Sequence, residues 1–121
     1  MTGGPLTESL VLSFTKYFDK KTVDLENLTA EVEPGVFYRD FEKVTLPGHI
    51  SLPVYPASKS FVALGGMIMN NCAGEKTLRY GQMRDFVLEL KIVLADGNEY
   101  TFKKINKDEL QQKLNLEDFE G

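Results

Sequence analysis

One cysteine, one histidine and no surplus of positive charge leave several chemistries without the residues they need. Cys72 alone can form neither an intrachain disulfide nor a four-cysteine metal site, and a reducing, cytoplasmic setting suits it. It has no basic neighbour in sequence to lower its pKa, so a buried, inert thiol is expected. His49 stands between Pro47-Gly48 and a proline-rich stretch, away from other candidate ligands. It is expected on a surface loop, with no metal site. The chain contains no apolar run long enough to cross a bilayer. Met1-Thr2-Gly3-Gly4-Pro5 lacks the basic and apolar blocks of a signal peptide. Neither internal repeats nor low-complexity tracts occur. A formal net charge of −4 argues against nucleic acid as a partner. What is present is ordinary for a globular chain: 121 residues, 42% hydrophobic and 26% charged, enough for one domain with a core.

Apolar periodicity and turn residues divide the chain into short elements. Leu10 to Phe14 reads as a strand. Thr22–Leu25 and Thr29–Glu33 alternate polar and apolar residues about Glu26-Asn27, which predicts a hairpin closed off by Pro34-Gly35. Val36, Phe37 and Phe41 recur at helical spacing up to Pro47-Gly48. His49 to Ser60 carries prolines and no period, as an extended loop does. Phe61 to Met69 is apolar and predicted helical around Gly65-Gly66. Glycine inside a helix costs about 1 kcal/mol relative to alanine, so the pair needs a reason in close packing or close ligand approach. Asn70 to Asp85 is rich in loop residues. Phe86–Ala95 is apolar enough to predict a central strand, turning at Asp96-Gly97 into Glu99–Lys103. Asn106 with Glu109 predicts a capping box, and Leu110 and Leu114 share one face of the helix that follows. Phe37, Phe41, Phe61 and Phe86 are assigned to the core, and Arg79 and Arg84 to solvated pairs with Glu75 or Asp85. The fold class expected is α+β: an antiparallel-rich sheet of about five strands flanked by short helices.

The segment from Pro53 to Gly97 alternates glycine-rich loops with apolar stretches: Val54-Tyr55-Pro56-Ala57-Ser58, Leu64-Gly65-Gly66, Asn70-Asn71, Gly74, Tyr80-Gly81, Arg84-Asp85, and a strand ending in Ala95-Asp96-Gly97. Together with Val32-Glu33-Pro34-Gly35-Val36, these loops in this order resemble the FAD-binding domain of the vanillyl-alcohol-oxidase / p-cresol-methylhydroxylase (PCMH-type) flavoprotein superfamily. The likeness is to its D-lactate and glycolate dehydrogenase-like members, and to the second subdomain of that FAD-binding domain. It implies FAD as cofactor, with contacts from Pro56, Ser58, Gly65, Gly66, Asn70, Asn71, Gly74, Gly81 and Val87. Gly65-Gly66 would lie at the pyrophosphate and flavin edge, Ser58 would offer a hydroxyl or amide, and the main chain of Val87 would meet the adenine. Amides at glycine can converge on a phosphate, whose burial without partners is prohibitive.

The resemblance also implies that much of the enzyme lies elsewhere. Thr2-Gly3-Gly4 matches the end of the first phosphate loop, so an N-terminal lobe and a substrate domain with its basic catalytic residues are expected as missing partners. No catalytic residue is assigned. The parent would oxidise a 2-hydroxy acid by hydride transfer to FAD, the isolated chain would show no turnover, and the uncovered lobe face would favour self-association. Residues 1–121 would form a single partial domain, with 104–121 as a loosely ordered helical tail. Ala73, where many relatives carry a second glycine beside Gly74, departs from the pattern. Two alternatives stand beside the flavin reading: Gly65-Gly66 as packing glycines with Asn70-Asn71 as turn residues, and the chain as a structural or interaction module without cofactor.

Overall fold

The computed structural model describes residues 7–116. Two antiparallel hairpins and four short helices make up its regular structure, in keeping with the α+β class. Backbone contacts divide it into two compact units, the first ending at Asp85 and the second beginning at Phe86.

In the first unit, β1 (Lys21–Asp24) pairs with β2 (Thr29–Val32), Lys21 lying opposite Val32 and Asp24 opposite Thr29. The turn is organised by one carboxylate. Asp24 Oδ1 accepts from the amides of Glu26 and Asn27, both at 3.0 Å, and Oδ2 accepts from Asn27 Nδ2 at 2.7 Å. Leu28 closes it in the left-handed region at φ 55°. α1 (Tyr38–Thr45) follows and buries Tyr38, Phe41 and Thr45, a set at helical spacing. A 3-10 turn over Leu46–Gly48 ends it with proline near its start. α2 (Leu64–Met69) turns Leu64 and Met67 inward.

The core of this unit is Val36, Tyr38, Phe41, Val54, Leu64, Met67 and Met83. Main-chain bonds join its two middle segments: Tyr38 N–H donates to Val62 O at 3.0 Å, and Leu64 N–H to Val36 O at 2.8 Å. Tyr38 is wholly buried, and its hydroxyl donates to Leu52 O at 2.7 Å. The bond satisfies a phenol that would otherwise be costly to bury. Burial pushes the Tyr38 pKa up to about 12. α3 (Thr77–Tyr80) and a 3-10 turn over Met83–Phe86 complete the elements before the second hairpin.

In the second unit, β3 (Glu89–Val93) pairs with β4 (Glu99–Lys103), Glu89 opposite Lys103 and Val93 opposite Glu99. The turn repeats the device of the first hairpin. Asp96 accepts from the Asn98 amide and side chain at 3.0 and 2.9 Å, while Gly97 takes φ 82°. α4 (Lys107–Leu114) carries the expected capping box: Asn106 Oδ1 accepts from Glu109 N–H at 2.9 Å, and Glu109 Oε2 from Asn106 N–H at 2.8 Å. Phe102, Ile105, Leu110 and Leu114 line a shallow groove of about 240 Å³.

Three sequence expectations are corrected here. Leu10–Phe14 belongs to no strand, because no other backbone among the described residues pairs with it. The Phe86–Ala95 stretch shortens to β3, with Phe86 in a 3-10 turn, and only β4 lies beside it among the described residues. Glu89 and Lys91 make it alternate, so it is one side of a ribbon and not a central strand. Phe61 is 79% exposed and Phe86 is also exposed, whereas Phe41 is in the core. The hairpin at 26–27, α1, the loop before Ser60, α2 and the Asp96-Gly97 turn follow the sequence reading.

Candidate functional site

The space around each glycine of the first unit separates packing from accessibility. Gly65 sits against Pro34: a Cβ there would stand 2.6 Å from Pro34 Cβ and 2.8 Å from its carbonyl oxygen. Its amide donates to that same carbonyl at 3.0 Å. Gly66 is the opposite case. It is exposed, a Cβ would meet nothing within 4 Å, and its amide has no acceptor among the described residues. The Gly-Gly pair thus divides into one glycine that lets the helix approach Pro34 and one that presents bare backbone to the outside.

The remaining positions are held by a network of side-chain bonds. Gly74 passes so close to the Tyr55 carbonyl that a Cβ would overlap it, and its amide donates to Thr77 Oγ1 at 2.7 Å. Gly81 takes φ 85°, a conformation other residues rarely adopt, with the Asp85 carboxylate where a Cβ would point. Asn71 also lies in the left-handed region, at φ 43°. Its Nδ2 donates to Gln82 Oε1 at 2.9 Å and its Oδ1 accepts from Arg84 N–H at 3.0 Å, tying the exit of α2 to the 81–85 loop. Asn70 Nδ2 donates to Gly66 O at 2.8 Å, capping the helix while the residue stays exposed.

The loop carrying Pro56 and Ser58 is folded by two tight turns, from Lys59 N–H to Pro56 O at 3.0 Å and from Phe61 N–H to Ser58 O at 2.8 Å. Ser58 is exposed, and its hydroxyl has no hydrogen-bond partner among the described residues. Beneath it, the Tyr55 ring lies 5.4 Å from that of Tyr38, with Lys59 Nζ at 4.8 Å and Lys76 Nζ at 5.3 Å from its centroid. The Tyr55 contact, with Glu75 nearby, raises the Lys76 pKa, so this ammonium stays charged. Lys59 is also paired with Glu42 at 3.2 Å.

Pro56, Ser58, Gly65, Gly66, Asn70, Asn71, Gly74 and Gly81 therefore all belong to the first unit, linked through Tyr55, Thr77 and Gln82. Val87 lies just inside the second unit and is half-buried. Thr77 and Gln82 hold the loops and were not singled out in sequence; the Gly-x-x-Thr spacing after Gly74 is the signal that could have found Thr77. Cys72 is half-buried and its pKa is raised by that burial, as an inert thiol requires. His49 is exposed on its loop, and no cluster of metal-ligating side chains occurs among the described residues. Arg84 pairs weakly with Asp85 at 3.9 Å, while Arg79 stacks over Tyr80 at 5.2 Å instead of meeting Glu75.

A flavin dinucleotide requires reachable amides and hydroxyls, and the open Gly66 amide and the exposed Ser58 are groups of that chemistry. The residues present fit that group. Comparison with known proteins agrees, since the profile of the FAD binding domain matches residues 1–103. The chain belongs to this FAD-binding family. It is 37% identical over 94 residues to the glycolate oxidase subunit GlcD of Bacillus subtilis (strain 168), covering 78% of this chain and 20% of that protein. It is 36% identical over 99 residues to a D-lactate dehydrogenase of Archaeoglobus fulgidus, covering 80% and 22%. An uncharacterized FAD-linked oxidoreductase of Mycobacterium tuberculosis (strain H37Rv) is 33% identical over 93 residues, covering 77% and 20%. The chain spans about a fifth of the length of these relatives. FAD is the cofactor of the family, and no helix among the described residues is long and apolar enough to cross a membrane.

Proposed function

We propose that residues 1–121 form one part of the FAD-binding domain of a longer oxidoreductase acting on a 2-hydroxy acid such as D-lactate or glycolate. The matched FAD profile and the names of the relatives support the reading, and Gly66 carries it structurally. Its bare, exposed backbone has no packing explanation within the described chain. When bound, the flavin accepts the hydride; the chain's own residues bind and orient it. Gly66, Asn70 and Ser58 are the accessible contacts. Gly65, Gly74, Gly81 and Asn71 shape the loops that hold them and meet the cofactor through main chain, as does Pro56. For Val87 the family likeness alone suggests a main-chain contact with the cofactor.

The remaining lobe and a substrate domain are the partners this reading requires, and the cytoplasm is its compartment. The isolated chain is expected to show no turnover and to self-associate. Addition of FAD at about 100 times its Kd should raise stability by about 2.7 kcal/mol, read as an upward shift in Tm. An unchanged Tm together with a colourless protein after desalting would favour a module that keeps the fold without flavin. The packing roles of Gly65, Gly74 and Gly81 give that second reading its support.

A further inference from the structure

Residues 73–80 leave the body of the first unit and return to it at almost the same place. Met83 N–H donates to Cys72 O at 3.1 Å, and Asn71 is joined to Gln82 and Arg84. The excursion between these ties carries α3, with Gly74 near its start and Gly81 at its end. None of its residues is buried, and Leu78 stands wholly in solvent. Its backbone bonds close on themselves: Thr77 N–H donates to Gly74 O, Tyr80 N–H to Lys76 O and Gly81 N–H to Thr77 O. A loop with pinned ends and no buried residue depends on side-chain contacts to fix its position. Among the described residues, every hydrogen bond or ring contact from this loop to the body runs to Tyr55. The Tyr55 hydroxyl donates to Glu75 Oε1 at 3.2 Å, and Lys76 Nζ stands 5.3 Å from the ring centroid. The Tyr55 carbonyl also occupies the place of a Cβ on Gly74. Tyr55 is itself well held. Its ring lies 5.4 Å from that of the buried Tyr38, and Lys59, paired with Glu42 of α1, stands 4.8 Å from its centroid.

We propose that Tyr55 is a positioning residue for the cofactor, latching the 73–80 loop against the loop of Pro56 and Ser58 in the arrangement that FAD binds. A cation over a ring and a phenol–carboxylate bond are each weak at the surface. The latch therefore opens while the core stays folded, and a four-residue α3 does not persist without it. Opening carries Gly74 away from Pro56 and Ser58. A cofactor that needs both loops must select the closed form, and its apparent affinity falls with the closed fraction. The positioning role rests on the flavin reading above; the latch does not.

Hydrogen exchange of the full chain without FAD tests the latch. Tyr55→Phe keeps the ring on Tyr38 and loses only the bond to Glu75, and Glu75→Ala loses the same bond from an exposed site. Each should speed exchange at the Tyr80 and Gly81 amides about fivefold, with Tyr38, Leu64 and Met67 unchanged. The two combined should add nothing further, and Glu75→Gln, which keeps an acceptor, should behave as wild type. Titration of FAD into the same variants, read by flavin fluorescence, tests the positioning role. Charge alone would make Glu75→Ala bind the anionic dinucleotide more tightly. The latch predicts the opposite, a Kd raised about threefold in both Glu75→Ala and Tyr55→Phe and restored in Glu75→Gln. Unchanged exchange at Tyr80 and Gly81, or equal acceleration at the core amides, overturns the latch. Faster loop exchange with unchanged or tighter FAD binding overturns the positioning role. A wild-type chain that binds no FAD refutes the flavin reading and the positioning role with it, while the exchange result still decides the latch.

Discussion

At the scale of single residues, the two glycines of α2 make opposite predictions. Gly65→Ala drives a methyl into Pro34 and should cost about 1–3 kcal/mol, seen as a fall in Tm with or without FAD. Gly66→Ala enters open space in a helix and should stabilise the free chain by about 0.4–1 kcal/mol while weakening FAD affinity. Equal FAD affinity in Gly66→Ala and wild type would remove the main structural support for the cofactor reading. Tyr38 provides a pH signature. Its neutral phenol is favoured in the fold, so that contribution is complete below the ordinary tyrosine pKa of about 10 and is lost as pH rises through about 12. Ultraviolet titration should show the Tyr38 phenol ionising only in strong alkali, together with unfolding. Sequence pattern put Phe61 in the core with Phe41, because it opens the apolar run that ends at Met69. Only the path of the 56–61 turns decides that Phe61 points out.

At the scale of elements, the two hairpins and α4 rest on local side-chain chemistry. Asn27 holds the Asp24 carboxyl below its ordinary range, and Tyr100 does the same for Asp96. Each lowered value means stability present above about pH 3.9 and lost as pH falls through the lowered pKa. Thermal melts should therefore fall off in acid, and the deficit of Asp24→Asn relative to wild type should shrink there. Asn106→Ala removes the cap of α4 and should cost about 1 kcal/mol of local stability, visible as faster hydrogen exchange at Leu110 and Leu114. These devices were legible in sequence, because a cap or an Asx turn depends on residues within three positions of one another. The Leu10–Phe14 and Phe86–Ala95 readings went further than local information allows. Strand propensity states which residues suit a ladder, whereas a ladder needs a partner, and the partner is a matter of tertiary structure.

At the scale of the whole molecule, the buried residues define where stability is concentrated. All seven core hydrophobics belong to the first unit, whereas the second has none among its described residues. Hydrogen exchange should accordingly be slowest at Tyr38, Leu64 and Met67 and faster throughout β3 and β4. Uniform protection across the two units would contradict that distribution. The match to the FAD binding domain spans both units, so flavin addition offers a second reading of the same experiment. Protection gained in the 56–85 loops would support a cofactor held by the first unit.

The sequence by itself determined the turns, the helix cap, the α+β class and the order of glycine-rich loops that marks the family, because each depends on residues adjacent in the chain or on their order along it. Only the tertiary structure decided which glycine is packed and which is open, and that Asn71 clamps Gln82 and Arg84. It also decided that the strand-like Leu10–Phe14 segment pairs with no other backbone among the described residues. Those outcomes depend on which backbone approaches which from a distance in sequence, and the distances to Pro34, Tyr55 and Asp85 exist only once the chain has folded.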